Sequence, residues 1–286
     1  MRRHGVTDRA WGVIGPLLAP PRTGRPVRDR RQVLDGILWK LSTGAAWRDL
    51  PERYRPWKTV CERIRRWLAD GTWDRLLAHV QQHSDAVGEV DWSIVCVDST
   101  IVRAHQHAAG ARKRGAWTGE ALGRFRGGLS TKIHLARDGQ GRPLAFTITG
   151  GNVNDCTQFE PVMARIAIKR SGPKRPRTRP DRVAGDKGCS SRTIRAYLRR
   201  RGIACTIPER IDQISGRRRR GETLCHLDRT VYRRRNVVER CFNRLKQHKA
   251  LATRYDKRAR HYKALATLAC LRLWLPTDMA DTPSNG

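Results

Sequence analysis

The spacing of apolar positions divides the chain at about residue 91. Before that point, apolar side chains recur at three- and four-residue intervals, the period that gathers them on one face of a helix. Trp11, Ile14 and Leu18 form a first stripe, with Thr7 placed to cap it. Val33, Ile37, Leu38 and Leu41 form a second, stopped by Gly44. Pro56 suits the first turn of a third, in which Val60, Ile64, Trp67 and Leu68 share a face while Lys58, Arg63, Arg65 and Arg66 lie elsewhere. Trp73, Leu76, Leu77 and Val80 make a fourth. Tryptophans at helical spacing are read first as core. Short helices joined by tight turns, the third of them basic, predict a small all-α, helix-turn-helix-like domain over residues 1–88.

Beyond residue 91 the period shortens to that of strands. Ser93–Val97 is a β-branched run ending at Asp98, and residues 101–126 read as a basic loop. Thr131–Ala136 and Leu144–Thr149 flank the turn residues Asp138, Gly139 and Gly141, which predicts a hairpin. Phe159, Val162, Met163 and Ile166 are helix-spaced, and residues 169–182 form a proline-broken basic linker. A short strand at Arg182–Ala184 leads to Asp186. A helix marked by Ile194, Tyr197 and Leu198 follows, then a fifth strand at Ile203–Ile207. Residues 209–230, with Arg217–Arg220 at their centre, are expected to be a mobile basic loop. Two helices close the chain: one over Tyr232–Lys246, and one over Lys263–Leu275 that is apolar almost all round and therefore buried. The fold class expected is α/β, a mixed five-stranded sheet with flanking helices over residues 91–275, with 276–286 as a disordered tail.

Charge changes the picture. Lys plus Arg number 59 against 26 for Asp plus Glu, a formal charge of +33 in 286 residues. A globular chain with that excess repels itself until a polyanion neutralises it, so DNA or RNA is the expected partner, with salt-sensitive binding. On the third helix, Lys58, Arg63 and Arg66 are the candidate contacts, and Arg217–Arg220 a further phosphate-contacting run. The eight cysteines are scattered with no CxxC pair, which argues against a zinc finger and a disulfide framework. No signal-like apolar region follows Met1 and no stretch approaches a membrane span, so a cytoplasmic, nucleoid-associated protein without membrane contact is expected.

Within this basic background, the helix from Tyr232 to Lys246 sets one carboxylate among cations. Arg235 and Glu239 are four apart, while Tyr232 and Lys246 lie seven either side of Glu239, so all four can share a face. Taken alone, such a run also fits a solvated helix with an i,i+4 ion pair. Asp98 and Asp186, each closing a strand, could meet across neighbouring strands, with Glu239 completing a three-acid cluster. Hard oxygen ligands of that kind suit Mg²⁺ or Mn²⁺, and two such ions can drive phosphodiester chemistry. Asp91, Asp138, Asp155, Asp181 and Glu160 are rival acids, and the residue pattern leaves the choice of three open. His105 and His107 read as DNA- or solvent-facing rather than as metal ligands, His134 as a core or near-site residue, and Asn152 with Asp155 as the site's edge. Cys225-His226 is too isolated for zinc.

The ordered segments VLDGILWKLSTGAAWRDLPERYRPWKTVCERIRRW, VDSTIVRAH, GGLSTKIHLARDGQGRPLAF, GGNVNDCTQFEPV, VAGDKGCSSRTIRAYLRRRGIACTIPER and RRNVVERCFNRLKQHKALATRYDK resemble one bacterial transposase family throughout. It is the family named for insertion sequence five, the IS5 family, within the IS4-like DDE group, and the likeness runs from about Thr7 to Leu275. Tyr232, Arg235, Glu239 and Lys246 fit the group's Tyr–two–Arg–three–Glu–six–Lys signature. The resemblance implies an RNase H-like domain whose metal-binding triad is Asp98, Asp186 and Glu239, holding two Mg²⁺ or Mn²⁺ ions. It also implies that Tyr232, Arg235 and Lys246 contact the transposon end. The activity expected is hydrolysis at the element's terminal inverted repeats followed by strand transfer, performed by a homo-oligomer on DNA. A nuclease that cuts without joining and a non-catalytic regulator derived from a transposase are the alternatives. One departure stands out: where relatives carry an aromatic shortly after the second Asp, this chain has Asp186-Lys187-Gly188-Cys189.

Overall fold

The computed structural model describes residues 4–18, 29–110, 119–223, 225 and 227–276, and the side chains of all of these but residues 237 and 238. Part of the expected basic loop (111–118), His226 and the tail beyond 276 lie outside the described residues. In chain order the helices are α1 (Asp8–Ile14), α2 (Arg30–Thr43), α3 (Trp57–Ala69), α4 (Thr72–Ala86), α5 (Gln106–Ala109), α6 (Asp155–Ala164), α7 (Arg192–Arg200), α8 (Ile211–Arg219), α9 (Arg229–Arg233), α10 (Val237–Lys246), α11 (Lys249–Ala252) and α12 (Ala259–Trp274). The strands are β1 (Val95–Ala104), β2 (Gly123–Phe125), β3 (Gly128–Arg137), β4 (Pro143–Gly150), β5 (Arg182–Gly185), β6 (Ala204–Thr206) and β7 (Thr253–Arg254). None of the described helices is long and apolar enough to cross a membrane.

Packing sorts the chain into two compact units, one of 1–83 with 104–111 and 245–286, the other of 84–103 with 112–244. In the helical unit the predicted stripes become the core. Thr7 accepts from the Ala10 amide to cap α1, and Gly44 ends α2 at φ 70°. Leu34, Ile37, Leu38 and Leu41 of α2, Val60, Ile64 and Trp67 of α3, and Trp73 and Leu76 of α4 are all buried. Trp67 and Trp73 meet edge to face, ring centroids 5.3 Å apart, so these tryptophans are core as expected. The closing helix α12 is buried over most of its surface and packs on α3 and α11. α12 therefore packs within the helical unit, whereas the sequence groups all of 91–275 together. Apolar periodicity marks α12 as buried but does not say against what.

The other unit is built on a mixed sheet. β1 pairs antiparallel with β3 and parallel with β5, β5 pairs parallel with β6, and β4 and the short β2 both pair antiparallel with β3. The five main strands thus run in the order β4-β3-β1-β5-β6, the mixed α/β arrangement expected of the chain. Phe159, Val162 and Met163 of α6, Ile194 and Leu198 of α7, and Cys241 and Phe242 of α10 supply the buried faces of its helices.

Two local expectations are corrected. β1 does not stop at Asp98 but continues to Ala104, because β3 is long enough to pair it as far as Arg103↔Ser130. Residues 209–230 are not a loop throughout, for α8 occupies 211–219. Arg217 there pairs with Glu209 at 2.7 Å and Arg220 with Glu222 at 2.6 Å, acids that neutralise part of the run.

Candidate active site

Strand register brings the first two acids together. The parallel pair β1/β5 ends at Val97↔Gly185, so Asp98 and Asp186 follow on the next rung of neighbouring strands. Asp186 leaves the sheet there and caps a 3₁₀ turn, accepting from the Cys189 amide at 3.0 Å. Gly188 leaves room for that carboxylate: a Cβ at its position would lie 3.0 and 3.1 Å from the two Asp186 oxygens and press on them. The Cys189 side chain is buried, so this position points into the protein and offers no stacking surface.

The Asp98 carboxylate accepts from the Ser99 amide at 2.7 Å and from an Arg235 guanidinium nitrogen at 3.0 Å. Burial pushes its pKa up, and the neighbouring Asp186 charge adds to the rise; the Ser99 amide and Arg235 oppose it without cancelling it. Arg235 shows the reverse balance. Burial works against its charge, but Asp98, Tyr232 and Asp186 together raise its pKa. One cation therefore stands in the field of both carboxylates.

Tyr232, Arg235 and Glu239 do not lie on one continuous helix. Tyr232 is on α9, Arg235 on a 3₁₀ turn over Arg234–Asn236, and Glu239 and Lys246 on α10. The tighter turn breaks the 100° spacing that would align the four side chains. Contacts to the sheet and to the segment before it fix it: Arg234 pairs with Asp91 at 2.9 Å, Arg235 with Asp98, and the Arg235 carbonyl accepts from Arg137 Nη2 at 3.2 Å. Tyr232 is half-buried, with the Arg235 guanidinium 5.9 Å from its ring. Glu239 is exposed in the first turn of α10, and Lys246 is exposed at its last residue, which belongs to the helical unit. Among the described residues no group of three His, Cys, Asp or Glu side chains is gathered tightly enough to hold a metal ion. The structure thus brings together Asp98, Asp186 and Arg235, with Glu239 a few residues further along the chain.

Three of the five rival acids have structural tasks. Asp138 is buried in the β3–β4 turn and accepts from the Gln140, Arg142 and Asp91 amides. Asp91 pairs with Arg234 and accepts from Ser93. Asp155, at the start of α6, gathers Ser99 Oγ at 2.7 Å, Lys132 Nζ at 3.1 Å and His134 Nδ1 at 3.4 Å. His105 accepts from the His107 amide and stacks near Tyr255, its ring 4.8 Å away. The sequence reading missed Arg137 and Arg234, the cations that seat the Arg235 turn. Nothing local singles them out, since their partners lie 98 and 143 residues away.

Burial pushes the His134 pKa down to about 4, Asp155 opposing and Lys132 adding to the fall. An unfolded histidine titrates near 6.5, so between about 6.5 and 4 the unfolded chain binds the proton and the folded one does not. Stability contributed at this position is present above about pH 6.5 and falls as pH drops towards 4. His134→Gln is expected to flatten the melting temperature against pH across that window; an unchanged slope sinks the assignment.

Comparison with known proteins gives the arrangement its family. The "Transposase DDE domain" model matches residues 91–274, and a model of the IS4/5 transposase family matches residues 6–77. The chain belongs to the DDE transposase family. A protein carrying the name of transposase for insertion sequence element IS402, from Burkholderia cepacia, is 35% identical over 152 residues, 53% of this chain and 66% of that one. An uncharacterized protein of Sinorhizobium fredii is 40% identical over 111 residues, 38% of this chain and 84% of its own length. A solved structure described as the Mos1 transposase paired-end complex with left transposon end aligns over 90% of this chain and 82% of that one, with 11% identity. Its TM-score of 0.26 is too low to carry any argument. Family membership makes this transposase an enzyme of DNA and implies a divalent metal. Asp98 and Asp186 fit such an ion: both offer oxygen, both face a cation, and the charge on Asp98 is held at a cost that an ion would relieve.

Proposed function

We propose that this transposase cuts the terminal inverted repeats of its own insertion sequence and joins the freed 3′ ends to target DNA, using Asp98, Asp186 and Glu239 as metal ligands. The observation that carries the reading is the Asp98–Arg235–Asp186 constellation, with Asp98 inside β1 and Asp186 just past the end of the neighbouring β5. Mg²⁺ or Mn²⁺, two ions per site, would supply Lewis-acid activation of the attacking oxygen and charge for the leaving one. The chain's own groups do the positioning. Arg235 carries donors that fork onto phosphate as readily as onto carboxylate. A transposon-end phosphate competes with Asp98 for Arg235, and its success frees the Asp98 carboxylate. Tyr232 offers a ring to an unstacked base, and Lys246 a point charge to the backbone. Two ends cut in concert call for a homo-oligomer on the DNA.

Two measurements test this. Supplied with pre-cut element ends and target DNA, the protein is expected to produce joined strands; cleavage of intact ends without joining would make it a nuclease instead. Mn²⁺ binding to the DNA-free protein, followed by electron paramagnetic resonance, is expected to tighten several-fold in Arg235→Ala, because the competing cation is gone. Unchanged or weaker binding would show that Arg235 does not guard Asp98.

A further inference from the structure

The helical unit carries a groove of about 1040 Å³ whose charge the sequence divides between two distant segments. One wall is α3, which presents Lys58, Arg65 and Arg66. The other is the start of α12, which presents Arg258, Arg260 and His261. Glu62 is the one acid lining it, and it is paired with Arg66 at 2.8 Å. The two walls meet because α12 packs directly on α3, inside one compact unit.

The cations are close enough to act on one another. The His261 pKa is lowered, first by burial and then by Arg260, Arg65 and Arg258, against the opposing charge of Asp256. Like charges drawn from both walls thus converge on one imidazole. Such a concentration of one sign in a concavity is unfavourable in the free protein and is relieved by a polyanion. Lys58, Arg65 and Arg260 are exposed, as phosphate contacts must be. The α12 backbone adds to the field, since a sixteen-residue helix begins at this edge with its positive end.

We infer that α3 and the start of α12 form a single composite cleft that grips the sugar–phosphate backbone of double-stranded DNA. The inference rests on the reading of α3 as a DNA-contacting helix and extends it to Arg258, Arg260 and His261. Those residues follow the last catalytic acid in the sequence, yet they serve the DNA-binding unit rather than the catalytic one. Contacts of this kind fix position without reading sequence, so they hold any duplex.

The experiment is fluorescence anisotropy of the full chain on a short labelled duplex of arbitrary sequence, across a salt series. Arg65→Ala and Arg260→Ala are each expected to weaken binding several-fold and to lower the slope of log affinity against log salt by about 1. Arg260→Lys keeps both, because a phosphate contact needs the charge rather than the guanidinium fork. Arg9→Ala, an exposed cation of the same unit outside the groove, is the control and leaves both unchanged. If Arg65→Ala weakens binding and Arg260→Ala does not, the composite cleft is overturned while the α3 reading stands. If neither does, the cleft falls, and Lys58→Ala decides the α3 reading: weakened binding keeps it and unchanged binding sinks it. Equal melting temperatures for the variants exclude misfolding as the cause.

Discussion

Replacing Asp98, Asp186 or Glu239 by its amide is expected to lower cleavage of element ends on the order of 10³-fold, several kcal/mol of lost transition-state stabilisation. The amide keeps the shape and removes the charge that a divalent ion requires. Asp98→Asn separates function from stability most clearly. In the folded protein burial and Asp186 already work against the Asp98 charge, so its pKa is raised. Removing that charge costs the fold nothing through this route, but Ser99 and Arg235 donate to different oxygens of Asp98, so the amide keeps one of these bonds and turns its NH2 on the other donor. The relieved charge and the lost hydrogen bond oppose one another, so Asp98→Asn is expected to be inactive with a melting temperature close to that of the parent at pH 7. A variant that loses activity only because it melts would contradict this, as would three amide variants that each retain cleavage. Glu239→Gln is the sharpest arm, because Glu239 is exposed and away from the two aspartates in the free chain. Loss of activity there means that α10 brings its carboxylate to the site when DNA is bound.

Trp67→Ala is expected to cost about 3–5 kcal/mol, the range for removing a large aromatic from a packed core. Trp67 is 4% exposed and its edge-to-face partner Trp73 is 2% exposed. The substitution opens a cavity beneath α3, next to Val60 and Ile64, so the basic face of α3 loses its support. Chemical denaturation and duplex binding should fall together in this variant. Arg65→Ala, by contrast, should weaken binding alone. Unaltered stability in Trp67→Ala would mean that the ring packs on nothing essential, which its burial denies.

The legible and illegible parts of this protein divide by the range of the interactions that made them. The four amino-terminal stripes, the β3–β4 hairpin and the burial of the closing helix were all readable, because each follows from side-chain periodicity or turn chemistry within a dozen residues. The continuation of β1 past Asp98 was not, since it depends on the length of a partner strand. Nor was α8, where the arginine run hides a helix whose charges are met by Glu209 and Glu222. The Tyr232–Lys246 segment shows both sides. Its residues and their spacing were correctly placed in the chain, yet the 3₁₀ turn at Arg235 is set by Asp98 and Arg137 from the sheet and by Asp91 just before it.

By itself the sequence determined the charge, the partner class that charge demands, the α-then-α/β order, and the family, through motifs whose order survives in one dimension. Tertiary structure alone decided that Asp98 meets Arg235 across 137 residues, that Asp186 joins them through a parallel register, and that α12 returns to lie on α3. The reason is physical. Local propensity is written in neighbouring residues, whereas a contact between distant segments exists only once the whole core has closed around it.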